Sequence, residues 1–174
     1  MSTTERTLAG EQADVLQTLR KHRGFLRFTA RDLTDEQART RSSPSQLCIG
    51  GIIKHVSLTE RRWAQFITQG PSAMGRWDDP GQTEQFMNAF QMLPGETLAG
   101  LLGDYEQAAA ETDELLVSLP SLDVAQPLPE APWYEKGASW TARRTFLHLI
   151  AETSQHAGHA DIIREAIDGA KTMG

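Results

Sequence analysis

A single cysteine, Cys48, is all the thiol that the chain carries. One thiol cannot close an internal disulfide, so no disulfide framework supports the fold, and a free thiol fits a reducing compartment. Long apolar runs are missing too: no window approaches the roughly 18 uninterrupted apolar residues of a membrane-spanning helix. The opening stretch Met1-Ser2-Thr3-Thr4-Glu5-Arg6-Thr7 lacks the apolar segment of a secretory signal. No run of five or more Lys and Arg occurs, and the formal net charge is −6, so nucleic acid and anionic lipid are not expected partners. These absences describe a soluble, cytoplasmic protein with no membrane association.

Several catalytic signatures are absent as well. There is no His-Glu-x-x-His, which removes the zincin protease reading. No Glu-x-x-His pair occurs, which disfavours a di-iron carboxylate bundle. Gly50-Gly51 is only a pair, not a phosphate-binding loop, and no persuasive serine triad is found.

What the 174 residues do contain is helical periodicity, in four long segments, with no convincing strand alternation. The first segment runs from about Ala9 to Ala30, and a short turn follows at Asp35-Glu36-Gln37 before the breaker Ser43-Pro44-Ser45. The second runs from about Ile49 to Thr68, ahead of Gly70-Pro71. Residues 70–94 read as loop around Trp77-Asp78-Asp79-Pro80-Gly81, with a helical turn at Glu84–Ala89. The third segment follows Pro94-Gly95 and reaches Leu119, its stripe marked by Leu98, Leu101, Leu102, Tyr105, Ala108, Thr112, Leu115, Leu116 and Leu119. Residues 120–138 hold four of the eight prolines, and the last helix starts near Ser139 or Thr141 and reaches Ile167. The expected architecture is all-α: a four-helix bundle with two long connections, forming one domain over residues 1–174.

The chemistry lies on two of these helices. His148, Glu152, His156 and His159 fall within an arc of about 80° on the last helix. Leu149, Ile163 and Ile167 lie within or beside that arc, so the polar line points into the bundle. On the second helix His55 sits at the edge of the stripe of Ile52, Val56, Thr59, Trp63, Phe66 and Ile67, and it too faces inward. A buried carboxylate among buried imidazoles is costly unless compensated. A divalent metal compensates all of them together, and Glu152 with His156 at i and i+4, plus His55 from a neighbouring helix, suits one. A bland alternative stands beside it, in which the histidines only hydrogen-bond within a core and Glu152 pairs with an arginine such as Arg144. His22, in Arg20-Lys21-His22-Arg23, reads as part of a basic surface patch, and Cys48 as a small buried filler.

The stretch from Gly50 to Trp63 resembles the first metal-histidine helix of the DinB-like superfamily, and the stretch from Leu147 to Asp161 resembles its last helix. Members commonly use His-x-x-x-His on the last helix; here Glu152 stands at the first of those positions. That departure is shared with the mycothiol-dependent maleylpyruvate isomerase branch, and the wording Glu152 to Asp161 resembles the mycothiol S-transferase branch more closely still. The resemblance implies a four-helix bundle with His55, Glu152 and His156 as metal ligands. It also implies a transferase or isomerase that activates a low-molecular-weight thiol of mycothiol type against an electrophilic substrate. His159 and His148 are then candidates for orienting a ligand or moving a proton. Zinc is the expected metal, with nickel, iron and manganese compatible with the same donors, and a homodimer is the expected assembly. Two other classes compete: a non-enzymatic metal-binding stress-response bundle, and a structural or partner-binding bundle. A pocket lined by Trp63, Trp77 or Trp133 would favour the enzyme.

Overall fold

The computed structural model describes residues 10–172, apart from the side chains of Thr83 and Phe86. Four long helices dominate it: α1 (Glu11–Thr29), α3 (Ile49–Gln69), α5 (Leu98–Ser118) and α6 (Ala142–Asp168). Two shorter ones, α2 (Asp35–Arg39) and α4 (Pro80–Ala89), lie in the connections. The four-helix bundle expected from periodicity is therefore what the chain builds; the expected start near Ala9 lies outside the described residues. α1 packs on α6 and α5, while α3 packs on α5 and α6.

Local chemistry explains most boundaries. Thr97 and Thr141 accept hydrogen bonds from the Gly100 and Arg144 amides, capping α5 and α6. Thr34 and Gln37 form a reciprocal capping box at α2. Glycine at φ 68° ends α3 at Gly70, and Gly169 at φ 77° ends α6. Cys48 is buried, as expected, and its sulfur also accepts from the Gly51 amide at the start of α3.

Three expectations need correction. Residues 70–94 are more ordered than a loop: a 3₁₀ turn covers Gly70–Met74, and the helical turn expected at Glu84–Ala89 is part of α4, which begins earlier, at Pro80. Asp79 caps α4 and Pro80 occupies its first turn, a start signal that outweighs the loop-like composition. Secondly, Ala125–Pro127 pairs antiparallel with Ser139–Thr141, Gln126 opposite Trp140. Three-residue strands are too short to show alternation in a sequence. Thirdly, Arg23 is not part of a surface patch, since it is only 4% exposed and lies one turn from Leu19 and Leu26 on the inner face of α1.

The core is divided. One apolar cluster holds Leu26, Ile52, Val56, Leu101, Tyr105 and Ile163, and the other Leu19, Trp63, Phe66, Leu116, Phe146 and Leu149. Between them each long helix contributes buried polar groups: Arg23 on α1, Glu60 on α3, Thr112 on α5, and Thr153 with His156 on α6. The candidate site is the α3–α6 side of this polar middle.

Candidate metal centre

α3 presents His55, and α6 presents Glu152 and His156 one turn apart. The Nε2 atoms of His55 and His156 each lie 3.7 Å from Oε2 of Glu152. One donor atom from each of the three residues falls within 4.8 Å of the others. Both imidazoles are buried, whereas the Glu152 side chain remains 27% exposed, so the cluster can be reached from outside.

The spacing suits a metal ion better than it suits the groups alone. A gap of 3.7 Å exceeds a good hydrogen bond, yet it is too narrow for a bridging water. Two donor bonds of about 2.1 Å at a tetrahedral angle span roughly 3.4 Å, within a few tenths of an ångström of that gap. The widest pair, within 4.8 Å, must close by up to roughly 1.4 Å, and because both Glu152 gaps are already 3.7 Å this closure falls to the His55 and His156 rings. Two nitrogens and one carboxylate oxygen, with room for a further ligand, are the donors of an open divalent site. The residues present fit such an ion.

Aromatic side chains frame the cluster. Phe90 stacks on the His55 ring with centroids 3.9 Å apart. On the opposite flank Trp63 stacks on Trp140 at 4.8 Å, and both meet His148 edge-on, at 4.9 and 5.3 Å. His148 Nε2 is 4.0 Å from Oε1 of Glu152. Arg144 does not serve as the Glu152 partner envisaged above; its guanidinium lies over the Trp140 ring at 4.3 Å. His159 Nδ1 faces His156 Nδ1 at 3.5 Å, on the side away from Glu152.

The charges follow from these neighbours. The His55 imidazole and the other two imidazoles hold the Glu152 carboxyl below the usual carboxylate range, against the opposing effect of burial. Burial pushes His156 down to about 4, with the neighbouring His55 adding to the effect, and burial lowers His148 as well. His156 is therefore a neutral base at physiological pH, so its contact with Glu152 is not an ion pair.

Metal-free protein should accordingly lose stability as pH falls from 6.5 towards 4. Over that window the unfolded His156 takes up a proton that the folded side chain excludes, so stability falls with falling pH. Urea unfolding at pH 7 and 4.5 is expected to show a loss about 1–3 kcal/mol larger in wild type than in His156→Gln. Equal losses in the two proteins would contradict it.

Periodicity finds His55, Glu152, His156 and His148, but not Phe90 or Trp140, which arrive from distant segments. One signal for Phe90 was present: Gly50-Gly51 inside a helix. A Cβ on Gly51 would overlap the Phe90 carbonyl, so glycine lets residues 90–92 lie directly on α3. Gly51→Ala should thus destabilise the protein by about 1–3 kcal/mol through overpacking, although alanine gains about 1 kcal/mol in a free helix. A fall in Tm of a few degrees is expected; a rise would show that the close approach carries no weight.

No curated protein matches the chain. Among solved structures, a conserved protein from Enterococcus faecalis superposes with a TM-score of 0.61, at 17% identity, over 94% of this chain and 100% of its own. That likeness shows the fold. The family model for mycothiol-S-transferase matches residues 14–169, from α1 to the glycine after α6, and includes His55, Glu152 and His156. The chain belongs to the mycothiol-S-transferase family, within the DinB-like group.

Proposed function

We propose that His55, Glu152 and His156 ligate one divalent metal, zinc first among the candidates, and that the protein transfers a mycothiol-type thiol to an electrophile. The observation that carries this reading is the convergence of three metal donors from two helices, at spacings an ion fills, with one side open. When bound, the ion supplies Lewis-acid chemistry that lowers the pKa of a coordinating thiol, so that the thiolate form is available as nucleophile.

The chain's own residues supply the rest. Glu152, ionised at neutral pH, offsets the cationic charge of the site. His156 offers Nε2 as a free lone pair if its Nδ1–H donates to Nδ1 of His159, which fixes the tautomer and the ring orientation. His148, half-buried between Trp63 and Trp140, stands where it can accept a proton from the incoming thiol or orient the electrophile. The stacked indoles of Trp63 and Trp140 exclude water from that flank. The same reading treats the chain as one domain, working in the cytoplasm as a homodimer.

The test is a transfer assay. Zinc-loaded protein should accelerate the reaction of mycothiol with 1-chloro-2,4-dinitrobenzene above the uncatalysed rate, and chelation should abolish that gain. A metal-loaded protein that shows no acceleration with several electrophiles would leave only a metal-binding role. His159→Ala should still hold one metal per chain at saturation, with affinity lowered about 10–100-fold. Complete loss of metal in that variant would make His159 a ligand instead.

A further inference from the structure

Thr59 lies on α3 one turn beyond His55 and one turn before Trp63. On the facing helix Glu152 meets His55, and His148 meets Trp63 edge-on at 4.9 Å. Thr59 therefore stands between those two contacts, half-buried beside the partly exposed Glu152. The other flank is occupied by Phe90, which stacks on the His55 ring and has its centroid 5.7 Å from that of His156. A threonine inside a helix often turns its hydroxyl to the carbonyl four residues back, as Thr18, Thr112 and Thr145 do here. Thr59 instead points Oγ1 at Nε2 of His55, 3.5 Å away, which is the long limit of a hydrogen bond. Among the described residues that hydroxyl has no other hydrogen-bond partner.

We infer that the Thr59 hydroxyl donates a hydrogen bond to the sulfur of a thiol bound at His55, Glu152 and His156. The inference rests on the thiol-transferase reading above and adds the residue that recognises the bound sulfur. Nε2 of His55 has a single lone pair. The same atom faces Oε2 of Glu152 at 3.7 Å, so a ligand set built on these residues spends that lone pair on the ion. The Thr59 hydroxyl then loses its acceptor while still aimed into the site, and an unpaired donor there carries a cost. A thiolate keeps lone pairs and negative charge after it binds a metal, and charged acceptors make the stronger hydrogen bonds. Imidazole spends its one lone pair on the metal and leaves nothing to accept. Thr59 thereby favours sulfur over nitrogen in the open position.

The experiment titrates cobalt-loaded full-length protein with 2-mercaptoethanol and with imidazole, following the metal's absorption. Thr59→Val keeps the shape and removes the hydroxyl; Thr59→Ser keeps the hydroxyl. Wild type should develop a sulfur-to-cobalt charge-transfer band. Thr59→Val should raise the Kd for the thiol about tenfold, and Thr59→Ser should stay near wild type. The Kd for imidazole should not move in either variant. Cobalt affinity should not fall in Thr59→Val, because the ion displaces the very bond that this variant lacks. Unchanged thiol affinity in Thr59→Val, or equal weakening of thiol and imidazole, would overturn the inference and leave the transferase reading intact. Weaker cobalt binding with normal thiol binding once loaded would also overturn it, making Thr59 a support for the His55 ring alone. Wild type that takes up no cobalt, or takes it up without developing the band, would overturn both.

Discussion

Glu152→Ala should leave the protein without stoichiometric divalent metal, with affinity reduced at least about 100-fold, more than the loss of an outer hydrogen-bonding partner causes. Glu152 is the hinge of the cluster: both histidine nitrogens lie 3.7 Å from the same carboxylate oxygen, so removing it separates His55 from His156. It is also the only anion of the three, and its charge makes divalent binding favourable in a half-buried site. Glu152→Gln isolates that charge, because it keeps the shape and an oxygen donor. The amide variant is expected to bind metal more weakly than wild type and more strongly than the alanine variant. Metal analysis by mass spectrometry on protein purified without a chelating tag, with His55→Ala and His156→Ala alongside, makes the comparison. One metal per chain retained in Glu152→Ala would remove the carboxylate from the ligand set. Because Glu152 is 27% exposed and caps no helix, these variants should stay folded, which separates loss of metal from loss of structure.

The largest stability effect is expected where α1 meets α3 and α5 in the polar middle of the bundle. Arg23 donates to both oxygens of Glu60, at 2.5 and 3.2 Å, and to Asp113 at 2.6 Å. Arg23 and Glu60 are 4% and 1% exposed. Burial pushes the Glu60 carboxyl above the usual range even with the guanidinium beside it. Arg23→Ala removes that compensation and strands a buried carboxylate, which costs about 3–5 kcal/mol. Unfolding in urea should show that loss at pH 7. In the variant, Glu60 gains further reason to hold a proton in the folded state, so the deficit should shrink as pH falls towards 4.5 and grow as pH rises. Replacing the pair together, as Arg23→Met with Glu60→Leu, should restore most of the stability. A single variant within about 1 kcal/mol of wild type would show that the network contributes little.

How much of this was legible beforehand divides by the range of the interactions. Helix faces were, because 3.6-residue periodicity is local: the inward placing of His55, Glu152, His156 and Leu149 needed only their spacing. Thr141 was legible only as one of two caps, with Ser139, and the structure selects Thr141 because Ser139 belongs to the short strand. Arg23 was misread because its neighbours in sequence, Arg20 and Lys21, are solvated, and a run of cations looks like a surface until each residue is projected separately. Leu19 and Leu26, at four and three residues' distance, carried the correct signal. Phe90 and Trp140 depend on how the two connections fold back, and contacts between distant segments leave no period to read.

The polar layer across the middle of the core has a consequence for assembly. Two clusters of leucine, isoleucine and phenylalanine would, as uniform packings, tolerate a helix sliding by a turn of about 5.4 Å, since one aliphatic contact substitutes readily for another. With Arg23, Glu60, Thr112 and Thr153 at matching heights, such a slip sets a charge or a hydroxyl against hydrocarbon. The bundle thereby carries its own ruler, and chains that collapse out of step cannot rest there. The same ruler brings His55 on one helix level with Glu152 and His156 on another before any ligand arrives.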